Sequence, residues 1–177
     1  MQAETGQAAW KLTGLGAIGP YPGLEEKLST FGQFVGDWEI LEDRFFGSDG
    51  SETVLEGEVH WCWILDGKAV QDVWMFRDDE SKRMVPAGTT VRMYDPKIDA
   101  WHSVWITAER HEILSFLGRK IGNEIVLEGK FENDLLKWIF SEIMPNSFTW
   151  HEKKSSDLGK TWTLTERMKI RREERPS

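Results

Sequence analysis

The chain has 177 residues, of which 30 are acidic and 22 are basic, so its formal net charge is −8 at pH 7. This length fits a single domain with a sizeable core. The acidic balance argues against nucleic acid or an anionic membrane as a partner, because both bind concentrated positive charge. No apolar run approaches the roughly 18 residues that a membrane-spanning helix needs. A small molecule is the partner that these bounds favour.

Cys62 is the single cysteine, which rules out an intrachain disulfide and argues against a secreted disulfide scaffold. Residues 1–10 lack the basic and apolar regions of a signal peptide. We therefore expect a cytoplasmic protein that is a monomer or a homodimer.

The N-terminal part of the chain predicts an arm followed by one helix. Residues 1–23 are rich in Gly, Ala and Gln and predict a flexible arm. Apolar residues at spacings of four, three and four then mark one face of a short helix: Leu24, Leu28, Phe31 and Val35. We expect one domain over residues 24–172 and a short tail over residues 173–177.

The remainder of the chain changes to the two-residue period of β-strands. Short alternating runs of Trp, Val, Ile, Phe and Thr are separated by Gly, Asn, Asp and Pro, the pattern of strands joined by turns. About ten strands are predicted, over residues 37–46, 52–64, 68–77, 88–94, 100–107, 111–120, 124–132, 135–144, 148–154 and 160–171. Short links between sequence neighbours favour an all-β fold, a single closed antiparallel up-and-down β-barrel.

The dipeptide Asp66-Gly67 is the strongest hairpin signal in the sequence, since Asp-Gly favours a two-residue type I′ turn. With this turn, Trp61 lies opposite Asp72, and directly opposed residues share a face. The face predicted to point inward contains Val59, Trp61, Trp63, Val70, Asp72, Trp74 and Phe76.

Three further turns set the faces of the later strands. A turn at Gly122-Asn123 places these residues inside: Leu114, Phe116, Gly118, Ile125, Leu127, Gly129 and Phe131. A turn at Asn133-Asp134 puts Gly129 opposite Trp138, and it directs these residues inward: Leu136, Phe140, Glu142 and Met144. A loop over residues 155–159 aligns Phe148, Trp150 and Glu152 with Trp162, Leu164 and Glu166.

The hairpin over residues 89–107 has two faces that could each be the inner one. One face contains Thr90, Arg92, Tyr94, Trp101, Ser103 and Trp105, and the other contains Val91, Met93, His102, Val104 and Ile106. If the first face points inward, Arg92 and Tyr94 can hold a ligand carboxylate, which suits the guanidinium fork. If the second does, they are surface groups. We slightly favour the first alternative.

Several motifs along the chain resemble the calycin superfamily, which includes the lipocalins and fatty-acid-binding proteins. The motifs are Phe34-Val35-Gly36-Asp37-Trp38, Leu65-Asp66-Gly67, Tyr94-Asp95-Pro96 before Trp105, and Asp157-Leu158-Gly159-Lys160-Thr161-Trp162. The likeness spans roughly residues 24–171 and is closest to a lipocalin-like bacterial family of unknown function. The resemblance implies a barrel plugged at one end by the N-terminal helix. It leaves the function open, because calycins include fatty-acid carriers, haem proteins and a few enzymes.

A haem site has little support within this resemblance. The haem-binding branch known as nitrobindin carries a Gly-x-Trp-x-Gly-x-Gly pattern. Residues 36–42 keep the first Gly and the Trp but lose both later glycines, and the predicted register turns His151 outward. We expect no cofactor.

Tryptophan is the most unusual part of the composition, with ten residues. Large rings can fill a barrel, or they can wall a cavity for a flat or apolar ligand, with indole N–H groups as donors. Both alternatives are open at this point. The candidate ligand-binding residues are Trp61, Trp63, Trp74, Arg92, Tyr94, Trp105, Trp138, Phe140, Trp150 and Trp162.

Asp72 and Glu142 are the candidate catalytic residues. A carboxyl among tryptophans is desolvated, which raises its pKa and suits it to acid–base chemistry. A structural role, with a hydrogen bond from an indole or an arginine, is the favoured alternative for Asp72. Glu142 and Glu166 share the inner parity, and two carboxyls in different environments can divide acid and base roles.

The sequence contains no motif of a metal site, a nucleotide site or a catalytic nucleophile. His60 and Cys62 lie two residues apart without further ligands, so no zinc site is expected. No phosphate-binding Gly-rich loop precedes a helix, and no Gly-x-Ser-x-Gly elbow occurs.

Three functions remain. The first is binding of one small apolar or aromatic molecule, including an organic acid, in a Trp-lined barrel. The second is a cofactor-free lyase, hydratase or isomerase that uses interior carboxyls. The third is a structural or interaction module that associates through apolar residues such as Ile139 and Ile143.

Overall fold

The computed structural model describes residues 15–173. Within that range it has one helix, α1 (Glu25–Gly32). The strands are β1 (Gly36–Phe46), β2 (Glu52–Ile64), β3 (Ala69–Arg77), β4 (Met84–Asp95), β5 (Ala100–Thr107), β6 (Glu112–Ile121), β7 (Glu124–Phe131), β8 (Asp134–Met144), β9 (Ser147–Ser155) and β10 (Thr163–Arg172). The predictions for residues 1–14 and 174–177 lie outside the described residues.

The strands form a closed barrel. Each strand pairs antiparallel with its sequence neighbours, and β1 also pairs with β10. This confirms the predicted all-β, closed, up-and-down architecture. A ten-stranded barrel is wider than the eight-stranded kind that side chains can fill, so an interior space is expected. In residues 15–173 no helix has the length and apolar character to cross a membrane.

Two predicted hairpin registers are confirmed. Trp61 of β2 pairs with Asp72 of β3, and the loop between these strands covers residues 65–68. Ile121 of β6 pairs with Glu124 of β7, as the turn at Gly122-Asn123 requires. In both hairpins the local turn chemistry is sufficient to fix which side chains enter the barrel.

Two later registers differ from the prediction by an even number of residues. Gly129 lies opposite Leu136 rather than Trp138, because the turn falls one residue earlier than predicted. Glu152 lies opposite Glu166, because the loop between β9 and β10 is longer than predicted. An even shift leaves side chains on their face, so Leu136 and Phe140 of β8 and Glu166 of β10 still point inward as predicted. Leu164 and Met144 do not, because the β9–β10 ladder shifts between Leu164 and Glu166 and pairs Leu164 with Lys153, and Met144 is 63% exposed.

The inward placement of Glu142 is wrong. The β8–β9 ladder is irregular between Ser141 and Met144, and Glu142 has a left-handed φ of 51°. Its side chain is exposed, and its carboxylate accepts a hydrogen bond from Thr149 Oγ1 at 2.6 Å. A bulge interrupts the alternation of faces, which a parity count from a distant turn cannot detect.

The hairpin of β4 and β5 has its first face inward. Arg92, Ser103 and Trp105 are buried, whereas Met93 and Ile106 on the other face are exposed by 46% and 41%. The alternative favoured from the sequence is therefore the correct one.

Helix α1 closes one end of the barrel, which we call the plugged end. Phe31 is fully buried, and its ring centre lies 4.9 Å from Trp101, 5.7 Å from Phe140 and 6.5 Å from Trp61. The ring of Phe31 thus contacts side chains from three strands. Burying a phenylalanine side chain contributes about 1.5–3 kcal/mol before packing terms are added, so this contact anchors α1 to the barrel.

Arg172 covers the plugged end from outside. Its guanidinium lies 4.0 Å from the ring centre of Trp38, and it donates hydrogen bonds to the carbonyls of Gln33 at 2.8 Å and Val35 at 3.0 Å. The indole Nε1 of Trp38 donates to the carbonyl of Phe34 at 2.6 Å. The backbone carbonyls between α1 and β1 therefore accept hydrogen bonds from side chains, which supply the partners that a helix end leaves missing.

The segment that precedes α1 lies along the β2–β3 hairpin. Ala17 N donates to the carbonyl of Trp63 at 2.8 Å, and Tyr21 N donates to the carbonyl of Gly67 at 3.0 Å. A Cβ at Gly32 of α1 would overlap the ring of Trp63. Trp63 therefore belongs to the packing of the plugged end.

Candidate functional site

A cavity of about 450 Å³ occupies the half of the barrel away from α1. Asp72, Arg92 and Phe140 bound it on the side of the plugged end, and Phe46 and Arg110 lie at its mouth. Most of its walls are apolar. We call this half of the molecule the cavity end.

Tryptophans from four strands form one wall. The ring centre of Trp105 lies 6.0 Å from both Trp74 and Trp138, and Trp138 lies 5.5 Å from Trp150. Phe116 stacks on Trp138 with 4.0 Å between ring centres. Tilted, edge-to-face and offset contacts of this kind hold aromatic rings in fixed orientations, so the wall is shaped before any ligand arrives.

Two glycines make room for this wall. A Cβ at Gly88 would overlap the ring of Trp105, and a Cβ at Gly129 would overlap the ring of Phe116. Both glycines lie in strand interiors, where such residues mark a close approach of a neighbouring group. Glycine has a low β propensity, but at these two positions it leaves the space that the aromatic rings occupy.

A buried ion pair lies between the cavity and the plugged end. Arg92 Nη1 donates to Asp72 Oδ2, and both residues are at most 4% exposed. Asp72 Oδ1 also accepts a hydrogen bond from the backbone N–H of Thr90 at 3.1 Å. Asp72 is therefore held by an arginine, the structural alternative that the sequence favoured for it.

Aromatic rings surround the guanidinium of Arg92. Its central carbon lies 4.5 Å from the ring centre of Trp61, 5.1 Å from Phe31 and 5.8 Å from Phe140. Burial lowers the pKa of Arg92, and the neighbouring Asp72 charge opposes that shift. Arginine stays protonated in proteins, so Arg92 is a fixed positive charge at this boundary.

Three carboxyls lie on adjacent strands at the cavity end: Asp43 of β1, Glu166 of β10 and Glu152 of β9. Glu166 lies directly opposite Glu152, and it lies diagonal to Asp43, whose direct partner on β10 is Met168. Opposed and diagonal residues on one face lie close enough for side chains to interact. We call these three residues the carboxyl cluster.

The members of the carboxyl cluster differ in their partners. Glu152 accepts hydrogen bonds from Trp138 Nε1 and Thr165 Oγ1, both at 2.8 Å. Asp43 is 1% exposed, and its carboxyl has the carboxyl of Glu166 as its hydrogen-bonding neighbour, so the two can be bonded only through a shared proton. No other group within residues 15–173 donates a hydrogen bond to Asp43 or to Oε1 of Glu166.

These environments change the acidity of two carboxyls. Burial raises the pKa of Asp43 to about 7. Burial, together with the charges of Asp43 and Glu152, raises the pKa of Glu166 well above its ordinary value, and Arg110 opposes this shift. Desolvation and like charge both favour the neutral form of a carboxyl, so the cluster holds protons at a pH where exposed carboxyls have lost them.

Most of the predicted site residues line one space. Those that line the cavity are Trp61, Asp72, Trp74, Arg92, Trp105, Trp138, Phe140 and Trp150. Trp63 packs at the plugged end, and Tyr94 donates a hydrogen bond to Asp99 at 2.6 Å on the outside. The ring of Trp162 lies in the β9–β10 loop under Lys137. Of the candidate pair, only Asp72 reaches the cavity, because the bulge turns Glu142 out of the barrel.

Asp43 is the member of the carboxyl cluster that the sequence analysis missed, and it lies next to Glu166 rather than in the cavity lining. The pairing of β1 with β10 shifts between Ile40 and Glu42, and its pairing with β2 shifts between Ile40 and Asp43. This irregularity moves Asp43 to the inner face although Trp38 and Ile40 also point inward. The break of the apolar alternation at Leu41-Glu42-Asp43 is the sequence signal of such a bulge.

Other predicted features have clear positions. No group of three or more His, Cys, Asp or Glu residues is arranged to hold a metal ion in the described part of the chain. His151 faces away from the cavity, with Nε2 at 3.0 Å from Ser141 Oγ. Ile139 is only 8% exposed and Ile143 packs against the core, so neither offers the apolar surface expected for an interaction module.

The structure is similar to that of an S-type phycobiliprotein lyase from Guillardia theta, with a TM-score of 0.58. The match covers 84% of this chain and 93% of that chain at 11% sequence identity. At this identity the likeness shows a shared fold and nothing beyond it. Comparison with protein-family models finds no match, and comparison with curated protein sequences finds none either.

Proposed function

We propose that this barrel binds one small apolar or aromatic molecule in its Trp-lined cavity. The observation that supports the proposal is the cavity itself, which is lined by four mutually oriented tryptophans and has about 450 Å³ of space. Ligand pockets in proteins span about 300–1,000 Å³ and are mostly apolar with a few polar groups. The cavity has the size for a molecule of two or three fused rings.

The charge arrangement bears on the organic acid that the sequence allowed. Arg92 would have been its partner, but Asp72 already neutralises that guanidinium. Tyr94, the second expected partner, lies outside the cavity. The proposal therefore rests on a flat apolar body rather than on a carboxylate.

Two further parts of the proposal come from the sequence: a family relationship and a cellular location. The chain is related to the lipocalin-like bacterial family that its motifs resemble, and it acts in the cytoplasm. Support for the first comes from Gly36-Asp37-Trp38, which opens β1 directly after α1 as in the calycin pattern. The activity in the name of the phycobiliprotein lyase belongs to that protein, and a barrel that holds a small molecule is the part of the proposal that agrees with it.

A matched pair of variants tests the binding proposal. Leu114→Trp fills the cavity from β6, whereas Ile113→Trp adds the same side chain to the outer face, where Ile113 is 69% exposed. Isothermal titration of the wild type with neutral aromatic compounds, isoprenoids and fatty acids should find 1:1 binding. Leu114→Trp should weaken that binding at least tenfold, and Ile113→Trp should leave it unchanged. Binding that survives in Leu114→Trp, or no binding by any member of the panel, would contradict the proposal.

A second candidate function is proton transfer on the bound molecule, as in a cofactor-free lyase, hydratase or isomerase. The raised pKa values of Asp43 and Glu166 favour it, since a raised pKa suits a carboxyl to general acid–base catalysis, and Glu166 lines the cavity. Each ligand that binds would be incubated with the protein in D₂O. Carbon-bound deuterium in the recovered ligand, lost in Glu166→Gln, is the expected result, and an unlabelled ligand contradicts this candidate.

A further inference from the structure

We infer that the ligand of this cavity carries a basic nitrogen, bound as a cation between the carboxyl cluster and the tryptophan wall. This inference rests on the proposed binding function and names the chemical class of its ligand. It differs from the anionic ligand that the sequence allowed.

The cationic side chains that line the cavity are already paired with carboxylates. Three cationic side chains line it within residues 15–173. Each has a carboxylate partner: Arg92 with Asp72, Lys154 with Asp134 at 2.6 Å, and Arg110 with Glu112 at 3.7 Å. An anionic ligand would therefore have to displace an existing carboxylate from each cation.

The carboxyls of the cluster, in contrast, have no cationic partner. Glu152 and Glu166 line the cavity, and neither forms an ion pair within residues 15–173: Glu166 has the buried carboxyl of Asp43 as its partner, and Glu152 accepts from neutral donors. Two carboxyls that face each other can be bonded only through a shared proton, because a carboxylate has no donor. A ligand ammonium can replace that proton, since it supplies both donors and a positive charge.

The tryptophan wall supplies a second, independent attraction for a cation. Trp138 donates its Nε1 to Glu152, so its ring stands directly beside the cluster. Trp105 and Trp150 present rings within 6.0 Å of Trp138. Aromatic faces attract cations through the ring quadrupole, and this attraction is stronger in a desolvated site. A flat molecule with an amino group would place its rings on the wall and its nitrogen at the carboxyls.

Binding of a cation changes the protonation of the cluster. The groups that face Asp43 and Glu166 are Glu152 of β9 and, from the mouth of the cavity, Arg110. The free protein holds a proton on this cluster near neutral pH because burial raises both pKa values. A bound ammonium stabilises the carboxylate form, so the proton leaves to the buffer as the cation enters.

The test uses three ligands that share one ring system: 1-naphthylmethylamine, 1-naphthalenemethanol and 1-naphthoate. Isothermal titration at pH 7 should give the tightest binding for the amine, at least tenfold tighter than the alcohol, with the carboxylate weakest. Titration of the amine in two buffers of different ionisation enthalpy should show net proton release. If all three bind equally, or the carboxylate binds best, the cation inference is overturned and the binding proposal stands. If none binds, both fail.

Variants assign the effect to the cluster. Glu152→Gln and Glu166→Gln, which change the two cluster members that line the cavity, should each weaken amine binding about tenfold and leave the alcohol within twofold of the wild type. Glu128→Gln removes one negative charge on the outer face, where Glu128 pairs with Lys137 at 3.2 Å, and should change neither ligand. Equal losses for amine and alcohol in the cluster variants would mean a merely structural role and would overturn the inference. The alcohol is thus the internal control for folding.

Discussion

The plugged end and the cavity end are built from the same ten strands, but the first is filled by side chains and the second encloses a cavity. At the plugged end, Phe31 enters the barrel and meets rings from three strands, and Arg172 caps backbone carbonyls from outside. At the cavity end, aromatic rings that pack against glycines and inward carboxyls surround an open space. The comparison indicates that stability is concentrated at one end so that the other can hold a cavity and buried carboxyls, a separation that proteins use for functional sites.

The largest expected effect compares one phenylalanine from each end. Phe31→Ala removes a fully buried ring at the plugged end, and truncations of this kind cost about 3–5 kcal/mol of unfolding free energy. Phe131→Ala removes a ring that already borders the cavity and is only partly buried, so it should cost less than half as much. Urea unfolding with a check of the m-value measures both, and equal losses would erase the distinction between the ends.

The ion pair at the boundary provides the next test. Arg92→Met leaves Asp72 charged and buried without its partner, which should cost about 3 kcal/mol. The double variant Asp72→Asn/Arg92→Met removes both charges and should recover much of that loss. Arg44→Met, which breaks a partly exposed pair with Glu42, is the control and should cost about 1 kcal/mol or less. A double variant as unstable as the single one would show that the charge itself is not the cause.

The carboxyl cluster predicts an unusual pH dependence. The folded protein holds the pKa of Asp43 at about 7 against an ordinary 3.8, so the unfolded chain releases its proton first as the pH rises. The folded state binds more protons in that window, and stability should fall by about 3 kcal/mol between pH 4 and pH 7. Chemical unfolding across this range should show a flatter profile for Asp43→Asn. An unchanged slope in that variant would assign the pH dependence to other groups.

The smallest effect comes from a carboxylate at the surface of the cavity end. Asp157 in the β9–β10 loop accepts hydrogen bonds from Thr161 N, Thr161 Oγ1 and Ser155 Oγ, which hold its pKa at about 2. Its contribution is present above pH 4 and is lost as the pH falls towards 2, the opposite sign to Asp43. Asp157→Asn should be less stable than the wild type at pH 7, with a difference that vanishes near pH 2. A difference that persists at pH 2 would identify a cause other than charge.

The sequence predicts the fold well because its turns carry local information. Asp66-Gly67 alone places Trp61 opposite Asp72 on the inner face. The link between β3 and β4 has no comparable turn signal, so the approach of Arg92 to Asp72 could not be foreseen although both were placed inside. A contact across two strands depends on their mutual register, and only turn chemistry makes register readable from sequence.

The candidate site is predicted less completely because bulges change the faces of two strands. Glu142 is turned outward and Asp43 inward by irregular pairing, and each change reverses a parity count. The aromatic wall survives because Trp105, Trp138 and Trp150 lie in regular stretches of their strands. The aromatic lining of the cavity was therefore more predictable than the positions of the carboxyl side chains.

The pairing of β1 with β10 has a consequence for how the chain folds. Every other strand pair is a hairpin of sequence neighbours, which can form early because the loop to be closed is short. The seam instead joins residues such as Glu39 and Arg171, separated by 132 positions. Folding slows as contacts become more distant in sequence, so seam formation should be the rate-limiting event. The cavity then comes into existence in that final step, since an open ribbon of hairpins encloses nothing.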